Sequence, residues 1–473
     1  MATSLRSLLW HALISLSCIV AAAAYEQHTF GAPTTASPGI LRRFTPDSQE
    51  SLRDILRLAQ AHELDIWQIG HSNTPYVDIY SPQFSPSLPI ALLSTPHSLS
   101  NITIPEQSPR TQQRHWGLNS LAKTKFHNDY HPQYEVDEFI DDLAKLHPDK
   151  VTVLRLGHSS EGRELLGLKI SARGNGTKLG FVVTGPQHAR EWVATSTALY
   201  FAHALLADPS DPKSLAYLLK VYEFHIVPSP NPDGYVYTWD TDRFWYKNRQ
   251  IVGPGAQCIG IDMNRNWGYK WKAHADFPML QSANKKKNED PADPCSVWYP
   301  GHRPFEAAEV NNIANYITKV SGVHKGAGKG GIVAILDLRS YGQMLAAPYS
   351  YSCDKMPNDA ENQMEALEGA AQAGKAAHGT PFVTGTLCEL LYQCVLLFFH
   401  TAAANHGCRA PGNILDYVYN TARIRYAYSA FLRDTGTYGF TLPREWIRPV
   451  GEETGGIIAY IAKFIATKRG IEF

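Results

Sequence analysis

The tetrapeptide His188-Ala189-Arg190-Glu191 places an imidazole and a carboxylate three residues apart, just after Gly185-Pro186. On a turn that enters a helix, the two side chains can face one point and offer nitrogen and oxygen to a zinc ion. Chance alone gives a chain of this length about one His-x-x-Glu, so the pair needs company. Two clusters provide it. Asn231-Pro-Asp-Gly-Tyr235 follows an apolar run, and Asn264-Arg265 lie within Asp262-Met-Asn-Arg-Asn-Trp267. An amide beside a planar guanidinium fork is a suitable receptor for a carboxylate. A further polar stretch, Phe431-Leu-Arg-Asp-Thr-Gly-Thr-Tyr-Gly-Phe440, stands near the end.

Strand ends must hold these residues in place. The run 180–184 reads as a buried strand, 194–206 and 136–146 as helices, and 221–227 and 332–338 as further strands. Such alternation from about His115 onward predicts an α/β domain with a largely buried sheet and its function in the loops at the strand ends. Upstream, Asp47-x-x-Glu50 reads as a capping box ahead of Leu52, Ile55, Leu56 and Ala59 at helical spacing. The runs 64–67 and 76–80 alternate like short strands. Residues 85–114 are rich in Ser, Pro, Thr and Gln and read as an exposed, cleavable linker. The reading is therefore residues 25–114 as a small domain with its linker, and 115–473 as the large domain.

At the amino terminus Arg6 precedes an apolar run from Leu8 that closes in Ala21-Ala22-Ala23-Ala24, so residues 1–24 read as a secretion signal. No other stretch approaches the roughly 20 apolar residues that span a bilayer, and no membrane anchor is expected. With 44% apolar and 19% charged residues the chain builds a substantial core, which excludes wholesale disorder. Lys+Arg and Asp+Glu number 44 each, so nothing electrostatic points to nucleic acid or an anionic membrane. Beyond the signal stand Cys258, Cys295, Cys353, Cys388, Cys394 and Cys408. An oxidising compartment favours pairing them, and their spacing alone leaves every pairing open. Asn101-Ile-Thr and Asn175-Gly-Thr are glycosylation sequons.

His188-x-x-Glu191, Asn231-Pro-Asp-Gly234, Asn264-Arg265-Asn266-Trp267, Ser340-Tyr341 and Leu432-Arg-Asp-Thr-Gly436 stand in the order and spacing of the pancreatic-type zinc carboxypeptidases. The chain resembles that family from about Tyr130 to Phe473, and the upstream domain looks like a shortened form of its propeptide. The resemblance implies an α/β/α sandwich around a mixed eight-stranded sheet, preceded by a small α+β propeptide-like domain. It implies zinc held by His188, Glu191 and a second, distant His. It also implies a carboxylate clamp of Asn264, Arg265 and Tyr392, a substrate groove lined by Arg190, Ser340 and Tyr341, and disulfides Cys258–Cys295 and Cys353–Cys388.

Three positions depart from the family. Arg339 stands where the distant zinc-binding His belongs; a guanidinium has no lone pair to give and repels a cation. Phe431 stands where the catalytic Glu precedes Leu-Arg-Asp-Thr-Gly, and it cannot accept a proton. Tyr246 replaces the arginine that stabilises the oxyanion, leaving one hydrogen-bond donor and no positive charge. An oxyanion donor contributes about 2.7–4 kcal/mol and a positioned base roughly 100- to 10,000-fold, and losses on one transition state need not add. Zinc binding is therefore doubtful and hydrolysis is not expected. The pattern is similar to the family's fungal branch of inactive metallocarboxypeptidase-like proteins, which are linked to cell-wall organisation and are secreted or vacuolar.

The family has only a few residues where this chain carries 394–411, directly after Tyr392. That insertion reads either as a lid with Cys394 bonded to Cys408 or as retained intron sequence. Beyond it, the resemblance implies Leu415 at the base of the specificity pocket, which would suit a hydrophobic C-terminal side chain. Three functions are consistent with these residues. One is a pseudoenzyme that binds peptide C-termini. Another is an active zinc enzyme recruiting His324, His400 or His406. The third is a structural secreted protein whose groove is occluded.

Overall fold

A computed structural model describes residues 38–62, 64–71, 75–82, 88–105, 116–174, 178–253, 258–273, 293–322, 331–392 and 410–473. The signal (1–24), Asn175, His324, Cys394, His400, His406 and Cys408 lie outside these residues.

Among the described residues the chain builds two sheets. The first is four-stranded in the order β2-β3-β1-β4, from β1 (Gly39–Phe44), β2 (Asp65–His71), β3 (Pro75–Pro82) and β4 (His97–Ile102). Helix α1 (Gln49–Ala61) covers one face. Its Leu52, Ile55, Leu56 and Ala59 follow the helical period and pack on Phe44, Val77 and Ile79. Each large side chain buried there contributes about 1.5–3 kcal/mol. The cap differs from the expected one: Ser48 Oγ, not Asp47, accepts the Ser51 N–H at 3.1 Å.

The expected linker is shorter than its composition suggests. Inside it, α2 (Ile90–Leu93) and β4 are ordered, and β4 pairs antiparallel with β1 from Gly39↔Ile102 to Phe44↔His97. This strand, His-Ser-Leu-Ser-Asn-Ile, hides in sequence because it is an edge. It needs one partner only, and its Leu99 is 61% exposed, so no apolar alternation marks it.

The second sheet is eight-stranded and mixed, in the order β11-β10-β12-β9-β7-β8-β6-β5. Its strands are β5 (Val151–His158), β6 (Glu164–Ile170), β7 (Leu179–Thr184), β8 (Tyr222–Val227), β9 (Ile332–Arg339), β10 (Met344–Ala347), β11 (Val383–Thr386) and β12 (Tyr426–Phe431). Helices α3 (Gln133–Leu146), α4 (Trp192–Leu206), α7 (Ala360–His378) and α10 (Ile447–Lys468) share one core cluster with the sheet. Helices α6 (Ala308–Ser321), α8 (Leu387–Tyr392) and α9 (Ile414–Asn420) build the other. Between α4 and α6 runs α5 (Pro232–Asp240), with Pro232 at its start and Asn231 accepting the Gly234 N–H. The result is the expected α/β/α sandwich. Helix α4 is buried on every side, so it carries no polar face.

The parallel core of this sheet positions the chemistry. Strands β7, β9 and β12 run side by side, with Thr184 opposite Asp337 and Phe431 opposite Arg339. Their carboxyl ends therefore meet at one edge, where open α/β sheets bind ligands. Gly185 continues β7 towards His188, and a Cβ there would lie 1.9 Å from the Pro228 carbonyl oxygen. Only glycine fits that approach.

Candidate functional site

His188 to Glu191 form a turn between β7 and α4, and the helix begins at Trp192 with Glu191 as its N-cap. Arg339, at the end of β9, inserts its guanidinium between the two side chains. Its Nε donates to Glu191 Oε2 at 3.0 Å and its Nη2 to Oε1 at 2.9 Å. The same Nη2 contacts His188 Nδ1. The backbone N–H of Ser340 adds a bond to Glu191 Oε2 at 3.0 Å. On the far side His188 Nε2 lies 2.9 Å from Asp262 Oδ1.

These contacts assign the imidazole proton. Nη2 can only donate, so His188 Nδ1 meets it with a lone pair, and the ring proton resides on Nε2, donated to Asp262. The Nδ1–Oε1 separation of 2.9 Å is then two acceptors held together by one shared cation. The imidazole lone pair and both carboxylate oxygens are spent on Arg339. The residues do not fit zinc: two ligand positions are engaged and the third is the competing cation. Among the described residues no group of three or more His, Cys, Asp or Glu side chains could hold a metal ion.

Further carboxylates balance the buried charge. Asp337 Oδ2 lies 3.6 Å from Arg339 Nη1, and Asp262 Oδ2 lies 3.3 Å from Arg265 Nε. His188, Glu191, Asp262, Arg265, Asp337 and Arg339 are all buried. Burial pushes the Glu191 carboxyl up, but the Arg339 charge outweighs it and brings it down to about 2. Asp262 is held below the usual carboxylate range in the same way: burial is opposed by His188 and Arg265. For Asp337, burial prevails and raises it.

The other two altered positions adjoin this cluster. The Tyr246 ring stacks on His188 with centroids 3.6 Å apart. Phe431 places its ring 6.0 Å from the Arg339 guanidinium carbon and lines the same cavity, so no proton acceptor stands there. Asn264 and Arg265 also line it; Asn264 Oδ1 accepts from Gln187 Nε2 and Ile414 N, each at 3.1 Å. Tyr392 ends α8, and its side chain is outside the described residues. Leu415 is fully buried in the core cluster under α9 and is not on the cavity wall; Leu387, Leu391 and Asn413 are. Cys258–Cys295 and Cys353–Cys388 are bonded, with Cα separations of 5.0 and 5.2 Å.

Two residues expected along the groove are held by the N-terminal domain. Arg190 Nη1 donates to Asp65 Oδ1 at 2.9 Å and Nη2 to the Ile66 carbonyl at 3.3 Å, between the rings of Tyr246 and Phe440. Tyr341 donates to Asp78 Oδ2 at 2.7 Å, and Arg43 bonds both oxygens of that fully buried carboxylate. Sequence reasoning missed Asp65, Asp78, Asp262 and Asp337. Only Asp337 had a local signal: it stands two residues before Arg339 in an otherwise apolar strand, which puts both on one face.

Comparison with known proteins identifies the family. The family model described as "Zinc carboxypeptidase" matches residues 136–455. The curated protein "Inactive metallocarboxypeptidase ECM14" from Ajellomyces dermatitidis is 30% identical over 461 residues, covering 92% of this chain and 73% of that one. Its counterpart in Paracoccidioides brasiliensis is 31% identical over 453 residues, covering 91% and 73%. The crystal structure of thrombin activatable fibrinolysis inhibitor superposes with a TM-score of 0.72 at 26% identity, over 91% of this chain and 99% of that one. Carboxypeptidase A from Helicoverpa armigera has the same fold, with a TM-score of 0.69 at 23% identity, over 92% and 99%. The chain belongs to the zinc carboxypeptidase family, as a catalytically inactive member in which Arg339 engages both His188 and Glu191.

Proposed function

We propose that this protein binds ligands ending in a carboxylate and releases them unchanged. The observation that carries this reading is the contrast within one cavity. The metal and base positions hold Arg339 and Phe431, while Asn264 and Arg265 remain on the wall with a guanidinium suited to a carboxylate. Leu387, Leu391 and Phe431 add apolar surface, which favours a hydrophobic side chain beside that carboxylate. The apolar run ahead of Ala24 supports secretion, and the resemblance to the fungal inactive branch supports a role in cell-wall organisation.

The test is binding and turnover measured together, on ligands ending in phenylalanine or leucine. Binding without release of the terminal residue is expected, and Arg265→Ala weakens it about tenfold or more, as removal of a charge-assisted bond does. Release of the terminal residue at an enzymatic rate contradicts the reading. Binding that Arg265→Ala leaves unchanged contradicts the assigned clamp.

A further inference from the structure

Strand β4 ends the four-stranded sheet. It pairs with β1 from His97 to Ile102, and no strand lies beside its other edge among the described residues. Its side chains alternate between two faces. Ile102 is 1% exposed and packs with Leu41, Trp67 and Tyr341, on the face turned to the large domain. His97, Leu99 and Asn101 stand on the opposite face. There the His97 ring lies 4.9 Å from Phe44, a core residue under helix α1. Further along the strand the cover ends: Leu99 is 61% exposed, and Asn101 and Thr103 are exposed too. A free edge beside an uncovered leucine is a template for pairing with another chain, and proteins blunt such edges with bulky or polar groups.

Resting on the secretion proposed above, we propose that Asn101 carries an N-linked glycan whose first sugar lies over Leu99. The acceptor amide of Asn101 and the hydroxyl of Thr103 complete the sequon on this exposed stretch. In the transfer, Asn101 Nδ2 bonds to the anomeric carbon of an N-acetylglucosamine while that carbon's bond to a lipid-linked diphosphate breaks. The diphosphate leaves with the electron pair, and the amide gives up one proton. The folded strand leaves room for the product, because the Asn101 face points away from the packing of Ile102 on the large domain. Leu99 stands two residues earlier on the same face, about 7 Å along the strand. The C–H groups of a sugar ring are apolar enough to cover it, and the rest of the glycan is bulky, solvated and screens the edge.

The test is secretion of the full chain from a eukaryotic host that makes high-mannose glycans, followed by trimming to the first sugar with endoglycosidase H and mass spectrometry of peptides. Most secreted chains are expected to keep one N-acetylglucosamine on the peptide that holds Asn101, and Asn101→Gln and Thr103→Ala each to leave that peptide bare. In urea unfolding, Leu99→Ser is expected to lower the folding equilibrium constant of the trimmed chain about fivefold more than it does beside Thr103→Ala, because only the trimmed chain has a sugar over the leucine. A secreted chain with Asn101 bare overturns the inference and leaves secretion standing. An equal effect of Leu99→Ser with and without the sugar overturns the contact with Leu99. A chain retained in the cell with Asn101 bare overturns both secretion and the inference.

Discussion

Arg339 changes the site by valence and shape together. A guanidinium brings one positive charge and a planar fork, so it can bond both oxygens of Glu191 and still reach the lone pair of His188. Its pairing is strong in a buried site because the groups have no water to turn to. Removing one partner of such a pair costs about 3–5 kcal/mol. Arg339→Leu is therefore expected to lose about that much in urea unfolding, because Glu191 is left buried without its cation. Adding Glu191→Gln to Arg339→Leu recovers a large part of the loss; strict additivity of the two changes would contradict the pairing. Much of this was legible in the sequence: Arg339, Phe431 and Tyr246 stand at motif positions, and residue chemistry alone rules them out of their inherited roles. The carboxylates Asp65 and Asp78 were not legible, because each acts across a boundary between parts of the chain far apart in sequence.

At the scale of elements, the site depends on strand ends meeting. Residues 180–184 and 332–338 were readable as strands because a parallel sheet covered on both faces needs continuous apolar runs. The edge strand β4 was not, since one exposed face and one partner impose almost no pattern on its side chains. The link from β7 to the His188 turn is a tight passage rather than a contact of chosen side chains. Gly185→Ala would force the new Cβ away from the Pro228 carbonyl and pull the β7 and β8 ends apart. A loss of about 3 kcal/mol or more is expected from that overpacking. An unfolding midpoint equal to that of the unaltered chain would show that the turn has slack.

At the scale of the whole molecule, buried histidines make the large domain sensitive to acid. His127 Nε2 and His203 Nδ1 lie 3.0 Å apart in the core, and His203 Nε2 bonds the Leu118 carbonyl at 2.9 Å. Burial, with added repulsion from His147 and Arg448, lowers His203 to about 4; burial and His203 itself lower His127 well below its ordinary value. Both are neutral when folded and take up protons more readily when unfolded. Stability is thus unaffected by His203 above about pH 6.5 and falls as pH drops from there towards 4, by up to about 3 kcal/mol. His203→Gln is expected to flatten the fall in unfolding free energy over that window, and an identical slope would contradict the assignment.

The central claim is that a guanidinium occupies the place of the metal, and zinc stoichiometry tests it most directly. The full chain and Arg339→His are each purified, equilibrated with zinc, freed of loosely bound ions, and measured by mass spectrometry of metals. The unaltered chain is predicted to retain no stoichiometric zinc, whereas Arg339→His, which frees His188 and Glu191 and supplies a second imidazole as third ligand, retains one ion per chain. One zinc per unaltered chain, lost when His188 or Glu191 is replaced, would contradict the account.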